Sequence, residues 1–298
     1  MGIKRSDMTP SGRRLARKMR LAIDDWHLLA PGDRVMVCVS GGKDSYTLLD
    51  LLMIYRARVQ FDFSIFAVHL DQKQPGYDGR PLRAWLENRG VAFEIVERDT
   101  YSRVLERTPA GDAYCAVCSR LRRAALYETA ERLNCNRVAL GHHRDDALQT
   151  FMMNIFFAGQ IRAMPATYQT QCGRFSVIRP LISCSEDDIR QYADERQFPI
   201  LPCNLCGSQD GLKRKRMEDM LRSFEVEMPG VRDVMYGALK NVSPEYLLDK
   251  SLLARRDRTA PPPINGDHGS RRNHVTGPTL YAIDDGRSGA RPSALKPE

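Results

Sequence analysis

Short apolar segments alternate with longer amphipathic segments through the central part of the chain. The apolar segments predict β-strands at 34–39, 63–70, 91–97, 137–142 and 175–182. The segments between and after them predict helices at 44–57, 80–89, 116–133, 145–157 and 185–196. Strands that are apolar on both faces and separated by helices are typical of a parallel sheet covered on both sides. The predicted fold class is therefore α/β, and ligands are expected at the carboxyl ends of the strands.

Helical patterns also flank this alternating region. A helix over 9–30 begins at Thr9-Pro10-Ser11 and carries one apolar face and one arginine-rich face. After residue 200, a helical stretch follows the basic run 213–216, and another covers 231–240. The arginine-rich face is compatible with a solvated surface and with an RNA-facing one, and the sequence leaves both open.

Composition limits the class of protein. The 298 residues are 42% hydrophobic and 28% charged, as in an ordinary globular protein, and the net charge of +8 permits a polyanionic partner. No apolar run approaches the roughly 18 residues of a membrane span, and the N-terminus lacks the apolar core of a signal peptide. We therefore expect no membrane association and a cytoplasmic location. In that setting the eight cysteines favour metal or redox chemistry over disulfides.

The first strand runs into a glycine-rich turn, and a helix follows. A strand, turn and helix in this order present backbone N–H groups and a helix N-terminus to an anion, and hydroxyl and ammonium groups add to the site. The turn does not fit the G-x-x-x-x-G-K-[ST] pattern or the G-x-G-x-x-G pattern. Its residues are Ser40, Gly41, Gly42, Lys43, Asp44 and Ser45.

This turn resembles the SGGxDS loop of the PP-loop ATP pyrophosphatases. The resemblance implies that residues 40–45 bind the terminal phosphates of ATP as co-substrate, with Lys43 and Asp44 taking part in catalysis. The products implied are AMP and pyrophosphate.

A second segment, GHHRDDALQT at 141–150, follows the fourth predicted strand and is similar to a GHxxDD element of the same family. Carboxylates beside phosphates usually serve Mg²⁺, so one of Asp145 and Asp146 is expected to bind this ion, and the sequence leaves open which. Asp146 is also expected to be catalytic and Asp145 to lie in the nucleotide site. The alternative is that both aspartates cap the following helix. Gly141 and His142 are expected in the nucleotide site with them, and His69, at the end of the second strand, is placed there by position alone.

Four cysteines form two CxxC pairs, Cys115 with Cys118 and Cys203 with Cys206. The pairs are too far apart in the sequence for a local zinc ribbon, so the fold would have to bring them together. Four thiolates suit a structural zinc ion, three suit a 4Fe–4S cluster with one open iron, and either pair alone suits redox chemistry. The cysteines by themselves do not decide between these.

Taken together, the SGGKDS loop, the Cys115/Cys118 pair and the PCNLCGSQ segment resemble the tRNA 2-thiocytidine synthetases over about residues 10–245. The resemblance implies a 4Fe–4S cluster on Cys115, Cys118 and Cys206, with Cys203 as the alternative third ligand. It implies that ATP adenylates the C2 oxygen of cytidine 32 in the tRNA anticodon loop and that sulfur then replaces it. A cysteine desulfurase as sulfur donor and a homodimer are also implied.

The expected organisation has four parts. These are an N-terminal basic helix (1–30), the PP-loop ATP pyrophosphatase domain (31–200), a cysteine-containing helical region (201–254) and a disordered Pro-, Gly- and Arg-rich tail (255–298). Two other functions stay open: a uridine-specific PP-loop tRNA thiolase that uses a cysteine persulfide, and a zinc-stabilised RNA-binding module that does not turn over its nucleotide.

Overall fold

A computed structural model describes residues 8–108, 114–201 and 209–252. The strands are β1 Arg34–Cys38, β2 Ser64–Asp71, β3 Ala92–Glu97, β4 Arg137–Ala139, β5 Thr167–Gln169 and β6 Ser176–Ile178. The helices are α1 Pro10–Asp25, α2 Lys43–Arg56, α3 Arg80–Arg89, α4 Thr100–Arg107, α5 Cys115–Arg132, α6 Arg144–Met153, α7 Glu186–Arg196, α8 Gln209–Glu227 and α9 Val231–Ala238.

In the described part of the chain, six strands form one sheet in the order β3-β2-β1-β4-β6-β5. The pairings β1–β2, β2–β3, β1–β4 and β4–β6 are parallel, with Val37 of β1 opposite Ala67 of β2 and Ala139 of β4. Strands β2 and β3 lie on one side of β1, and β4, β6 and β5 lie on the other. The glycine-rich turn at 40–45, here called the phosphate-type turn, follows β1 and therefore lies where ligands bind in such sheets. The predicted α/β class with a mainly parallel sheet is confirmed.

The sheet differs from the expectation at one edge, because β5 is antiparallel to β6. A short hairpin joins the two strands: the Thr170 hydroxyl and amide both donate to the Phe175 carbonyl, and Gly173 has φ +69°. An antiparallel pair needs only such a turn, whereas a parallel pair needs a crossover. A three-residue edge strand also carries too few positions to show a period, so the sequence pattern did not predict it.

Several predicted boundaries were too long. The strand predicted at 175–182 ends at Ile178, because the chain turns where the Ile182 amide donates to the Arg179 carbonyl. The helix predicted at 145–157 ends at Met153 and widens into a π-helical turn, Asn154–Ala158. The helix predicted at 9–30 ends at Asp25. Helix α4 was not predicted at all.

Two hydrophobic clusters cover the two faces of the sheet. Val35 and Val37 of β1 belong to one cluster and Met36 to the other, because successive side chains of a strand point to opposite faces. Helices α1, α2 and α7 supply the first cluster, whereas Ala130 of α5 belongs to the second. The predicted placement of helices on both faces is thereby confirmed.

A buried carboxylate ties three helices together behind the sheet. Asp50 of α2 is 2% exposed; its Oδ2 accepts from the Tyr192 hydroxyl at 2.6 Å and from Arg196 Nε at 3.1 Å. Its Oδ1 lies 3.2 Å from a guanidinium nitrogen of Arg89 in α3. The charge is therefore compensated by two guanidinium groups that the fold brings in from distant parts of the chain.

Helices α8 and α9 pack against α6. Met217 and Leu221 of α8 form a small apolar cluster with Leu148 and Met152 of α6. This packing places the basic run 213–216 beside the helix that begins with the GHHRDD segment.

The chain divides into two compact units, Met1–Val242 and Ser243–Glu298. All the elements named above lie in the first unit, and in the second the structure describes a short helical turn, Pro244–Tyr246. The tail predicted to be disordered, 255–298, lies outside the described residues, as do Cys203 and Cys206. Within 8–108, 114–201 and 209–252, no helix is long and apolar enough to cross a membrane.

Candidate active site

The turn after β1 is held by its own hydroxyl groups. The Ser45 hydroxyl donates to the Gly42 carbonyl at 2.8 Å and accepts from the Ser40 amide at 3.1 Å. Gly41 has φ +88°, a conformation that favours glycine, and Gly42 is the N-cap of α2. The turn therefore presents the N-terminus of a buried helix to the edge of the sheet, which is a favourable place for phosphate.

Two glycines allow the backbone to pack closely around this turn. A Cβ atom on Gly141 would lie 3.0 Å from the carbonyl carbon and oxygen of Asp44, so the segment after β4 packs directly on the turn. A Cβ atom on Gly41 would lie 2.9 Å from Leu201 Cδ1. The Leu201 amide donates to the Gly41 carbonyl at 2.9 Å, which fixes the chain just before residues 202–208 against the turn.

Lys43 lies between two carboxylates. Its Nζ is 2.9 Å from Glu186 Oε1 and 3.2 Å from Asp44 Oδ1. Burial alone would lower the pKa of Lys43, but the two carboxylates outweigh burial and raise that pKa above its ordinary value. Lys43 therefore carries a full positive charge at neutral pH.

Asp44 and Asp146 approach the same imidazole. His143 Nε2 lies 3.7 Å from Asp44 Oδ1 and 3.4 Å from Asp146 Oδ2, and the His143 amide donates to Asp146 Oδ2 at 3.1 Å. Asp146 thus caps α6, which is the role that the helix-capping alternative gave to both aspartates. Asp44 Oδ1 is buried and, among the described residues, accepts no hydrogen bond of good geometry. Burial raises the pKa of Asp44 despite the nearby His143 and Lys43.

Asp145 has a different environment. It is 2% exposed, and its Oδ1 lies 3.2 Å from Arg144 Nη2 and 3.1 Å from Arg232 Nη1. Its Oδ2 accepts from the Glu186 amide at 2.8 Å, at the start of α7. Burial would raise the pKa of Asp145, but Arg144 and the Glu186 amide hold it below its ordinary value. Both oxygens are therefore occupied by protein donors that join α6, α7 and α9.

A cavity of about 240 Å³ opens beside the turn and includes Ser40, Gly42 and His69 in its lining. His69 Nδ1 donates to the Val39 carbonyl at 2.7 Å, and Nε2 accepts from the Tyr77 hydroxyl at 2.5 Å. Burial lowers the pKa of His69, which keeps the ring neutral. Since both ring nitrogens are used by the protein, His69 supports the wall of the cavity through Val39 and Tyr77.

His142 lies on the other side of the segment that carries Asp145 and Asp146. Arg179 Nε donates to His142 Nδ1 at 3.3 Å, and burial lowers the pKa of His142 to about 4. His142 is therefore neutral at physiological pH and accepts a hydrogen bond from a cation.

Cys118 contacts the wall of this cavity through Gln72. Its Sγ is 3.6 Å from Oε1 of Gln72, and Gln72 lines the cavity together with Ser40 and Gly42. Cys115 begins α5 one turn earlier. Among the side chains that the structure describes, no three His, Cys, Asp or Glu groups are positioned to hold a metal ion. The side chain of Cys115 and the residues Cys203 and Cys206 lie outside that part of the structure.

Comparison with known proteins shows which family has this sequence and site. Residues 13–200 match a family described as the PP-loop domain. The tRNA-cytidine(32) 2-sulfurtransferase of Cytophaga hutchinsonii is 51% identical over 239 residues, which cover 80% of this chain and 84% of that protein. The tRNA-cytidine(32) 2-sulfurtransferase of Coxiella burnetii is 49% identical over 245 residues, covering 82% and 96%.

The chain belongs to the tRNA-cytidine(32) 2-sulfurtransferase family. It is therefore an enzyme, a transferase, and the family resemblance noted in the sequence is confirmed.

A solved structure of another protein has the same fold as this 2-sulfurtransferase. The U34-tRNA thiolase NcsA from Methanococcus maripaludis, solved with its [4Fe-4S] cluster, superimposes with a TM-score of 0.61 at 23% identity. The match covers 78% of each chain. At this identity the similarity shows the common fold.

Of the predicted site residues, Gly141 packs on the 40–45 turn, and Asp146 approaches Asp44 of that turn through His143. Sequence reasoning missed Glu186, Arg232 and His143. Glu186 follows the N-cap Ser185, where an acidic residue is ordinary, so nothing in the sequence distinguished it. Arg232 reaches Asp145 from 87 positions away in the sequence, and only the packing of α9 on α6 reveals that contact.

Proposed function

We propose that this chain thiolates tRNA in an ATP-dependent reaction, converting cytidine 32 to 2-thiocytidine with release of AMP and pyrophosphate. One observation carries the proposal: Ser40 and Gly42 of the turn at 40–45 line the same cavity as Gln72, and Cys118 Sγ lies 3.6 Å from Gln72 Oε1. A single wall residue thus separates this cysteine from the cavity beside the phosphate-binding turn.

ATP would bind with its terminal phosphates at residues 40–45. The α2 N-terminus and the Lys43 ammonium supply positive charge where the departing pyrophosphate gathers negative charge. Lys43 has three N–H donors, so it can keep its contact with Glu186 while it contacts phosphate. Ser40 and Ser45 add hydroxyl groups at the same turn.

Asp44 and Asp146 are the residues that fit Mg²⁺ beside those phosphates. Asp44 Oδ1 is a buried carboxylate oxygen that lacks a hydrogen bond of good geometry among the described residues. Mg²⁺ keeps most of its water and takes one or two protein oxygens, so a larger cluster of side chains is not required. Asp145 fits this role less well, because protein donors occupy both of its oxygens.

Cys115, Cys118 and Cys206 would hold a 4Fe–4S cluster, with Cys203 as the alternative third ligand. The donor chemistry fits, since iron–sulfur clusters are bound by cysteine thiolates and Cys118 adjoins the nucleotide cavity. A cluster with three protein ligands supplies an iron position open to a sulfur ligand. Thr100, the first residue of α4, holds Gln72 in place, because its hydroxyl donates to Gln72 Oε1 at 3.2 Å.

The reaction divides into two displacements. The cytosine O2 attacks the α-phosphorus of ATP, forming a P–O bond while the bond to pyrophosphate breaks. Sulfide then attacks C2, and the C2–O bond breaks with AMP as the leaving group. Adenylation is needed because the unmodified O2 is a poor leaving group. The chain contributes orientation and charge stabilisation to the first displacement.

The substrate would be the anticodon loop of tRNA, whose unpaired cytosine can be extruded into the cavity. A cysteine desulfurase would supply the sulfur as a persulfide, and a thiol reductant would provide the two electrons that release it as sulfide. The working form would be a homodimer in the cytoplasm.

Nucleoside mass spectrometry of tRNA tests the function. We expect 2-thiocytidine to disappear in a strain that lacks this chain and to return when the wild-type chain is restored. Loss of a thiouridine with 2-thiocytidine unchanged would instead assign a uridine thiolase.

Anaerobic purification tests the metal. We expect a brown protein with iron and sulfide in the ratio of a 4Fe–4S cluster. Cys118→Ser and Cys206→Ser should lose the iron, and Cys203→Ser should retain it as the matched control. Iron loss in Cys203→Ser would reassign the third ligand, and a colourless protein with one zinc ion would contradict the cluster.

A further inference from the structure

A short apolar segment beside the site is exposed to solvent. Phe156 is 56% exposed, Phe157 is 50% exposed and Ile161 is 70% exposed, and all three lie within eight residues after α6. Neighbouring large apolar side chains on a protein surface mark an interaction site more often than isolated ones do.

The segment is held in one conformation by its own backbone contacts. Asn154 Nδ2 donates to the Arg162 carbonyl at 2.7 Å, and the Gln160 amide donates to the Asn154 carbonyl at 3.0 Å. The π-helical turn Asn154–Ala158 ends at Gly159, which has φ +61°. Single π-helical turns occur frequently at functional sites. The backbone that carries the two phenylalanine side chains is therefore held in place, which lowers the entropy that binding must remove.

Positive charge borders the rings. Lys213 Nζ lies 5.3 Å from the centroid of the Phe157 ring, and Arg162 is exposed at the end of the same segment. The next residue along α8, Arg214, has Nη1 3.8 Å from Asp146 Oδ1. A continuous line of contacts thus leads from the exposed rings to a carboxylate of the candidate active site.

We propose that Phe156, Phe157, Arg162 and Lys213, here called the aromatic–basic surface, bind the single-stranded loop of the substrate RNA. The inference rests on the proposed function and names the part of the protein that receives the anticodon loop. Unpaired bases offer faces that stack on aromatic rings, and basic side chains contact the adjoining phosphates. A base paired within a duplex does not offer its face in this way, so the surface selects loop over stem.

Charge favours RNA over a second copy of this chain. A two-fold symmetric contact through this surface would place the same patch of each copy together. The ammonium of Lys213 and the guanidinium of Arg162 would then face like charges, whereas an RNA loop brings phosphates of opposite charge.

Binding of RNA hairpins to the full chain tests the proposal. The probe is a hairpin whose loop carries the cytidine at position 32, and the comparator is a fully paired RNA of the same length. Phe156→Leu and Phe157→Leu should each weaken hairpin binding about 5- to 150-fold, the range of one lost base–aromatic stack. Phe156→Tyr should retain binding, because the ring is kept, and binding of the paired RNA should be unchanged in every variant.

A control variant, a test of the basic side chain and a check of folding complete the experiment. Val226→Ala removes an exposed apolar side chain elsewhere on α8, where Val226 is 82% exposed, and should change nothing. Lys213→Gln should reduce the slope of log K against log salt by about 0.7–0.9, the contribution of one phosphate contact. Thermal midpoints within a few degrees of wild type show that the variants are folded.

Unchanged hairpin binding in Phe156→Leu and Phe157→Leu would overturn this inference while leaving the thiolase proposal intact. The inference would also be overturned if these two variants sedimented as a smaller species than wild type while binding the hairpin equally well. That result would assign the surface to self-association. Failure of the wild-type chain to bind the hairpin at all would instead contradict the proposed function, and this inference with it.

Discussion

Lys43 Nζ and Glu186 Oε1 lie 2.9 Å apart, and the two residues are the first residues of helices α2 and α7. The contact joins the phosphate-type turn to an element that the sequence places more than 140 positions away. Asp44 and Glu186 together keep the ammonium charged despite its burial, and Glu186 fixes its position from α7. We infer that Glu186 is a positioning residue for Lys43.

Replacing Lys43 should have the larger effect of the two. Lys43→Met removes a charge that stabilises the departing pyrophosphate, and loss of one such contact lowers kcat about 10²–10³-fold. Glu186→Gln should lower kcat/KM for ATP about tenfold, because the ammonium loses its charged partner and its fixed position. Steady-state pyrophosphate release measures both values. Tighter ATP binding in Glu186→Gln would show instead that Glu186 competes with phosphate for Lys43.

Asp44→Asn should stabilise the fold while abolishing turnover. Burial raises the pKa of Asp44 in the folded state, so its ionisation opposes folding. The protonated carboxyl carries no such penalty below its unfolded pKa, and the penalty develops as pH rises through the folded pKa. We expect the free energy of unfolding of Asp44→Asn to exceed that of wild type by about 0.5 kcal/mol at neutral pH. The difference is small because the side chain is partly exposed to solvent, which screens its charge.

Thermal unfolding of Asp44→Asn and wild type across a pH series measures this difference. The gain should shrink as the pH falls below the ordinary pKa of an aspartate, because Asp44 is then neutral in both states. If Asp44→Asn were less stable than wild type at neutral pH, the conclusion that the ionised Asp44 carboxylate opposes folding would be wrong.

Gly141→Ala should weaken ATP binding more than it weakens the fold. The added Cβ would lie 3.0 Å from the Asp44 carbonyl group, so the turn at 40–45 must shift. Gly237→Ala is the matched control, because Gly237 is also a glycine without positive φ and its added Cβ would meet nothing within 4 Å. Isothermal titration with ATP measures the effect, and equal affinity in the two variants would show that the turn tolerates the displacement.

Gly41→Ala should combine backbone strain with a steric clash. Left-handed backbone costs a non-glycine residue about 1–2 kcal/mol, and the new Cβ would also press on Leu201 Cδ1 at 2.9 Å. Gly32→Ala isolates the first effect, since Gly32 has φ +80° and no neighbour within 4 Å of the added atom. Both variants should lower the thermal midpoint, but only Gly41→Ala should impair ATP binding. Impaired binding in Gly32→Ala would show that global strain is sufficient.

Asp50→Asn should be among the most destabilising single changes in the chain. It leaves the guanidinium groups of Arg89 and Arg196 without their buried carboxylate. Breaking a buried pair costs about 3–5 kcal/mol, and we expect about 3 because both guanidinium groups are roughly one quarter exposed. Asp24→Asn is the control, because its ion pair with Arg20 is exposed and should contribute less than 1 kcal/mol. Urea unfolding measures both, and similar values would contradict the role of Asp50.

The sequence by itself determined the alternating architecture and the phosphate-type turn. Apolar strands such as 34–39 are recognisable because burial on both faces leaves few polar positions. The Ser40–Ser45 turn is local, so its hydrogen bonds form between neighbours in the chain. The two CxxC pairs and the GHHRDD segment were likewise visible as residue types at fixed spacing. The antiparallel edge strand β5 was not, because three residues are too few to establish a period.

Tertiary structure decided how these local pieces share their charges. Asp145 and Asp146 are adjacent and chemically identical in the sequence, yet packing gives Asp145 two arginine partners and turns Asp146 toward His143 and the phosphate-type turn. Glu186 became a partner of Lys43 for the same reason. Contacts between residues distant in the chain depend on how helices pack over the sheet, and a linear pattern of residue types does not contain that information.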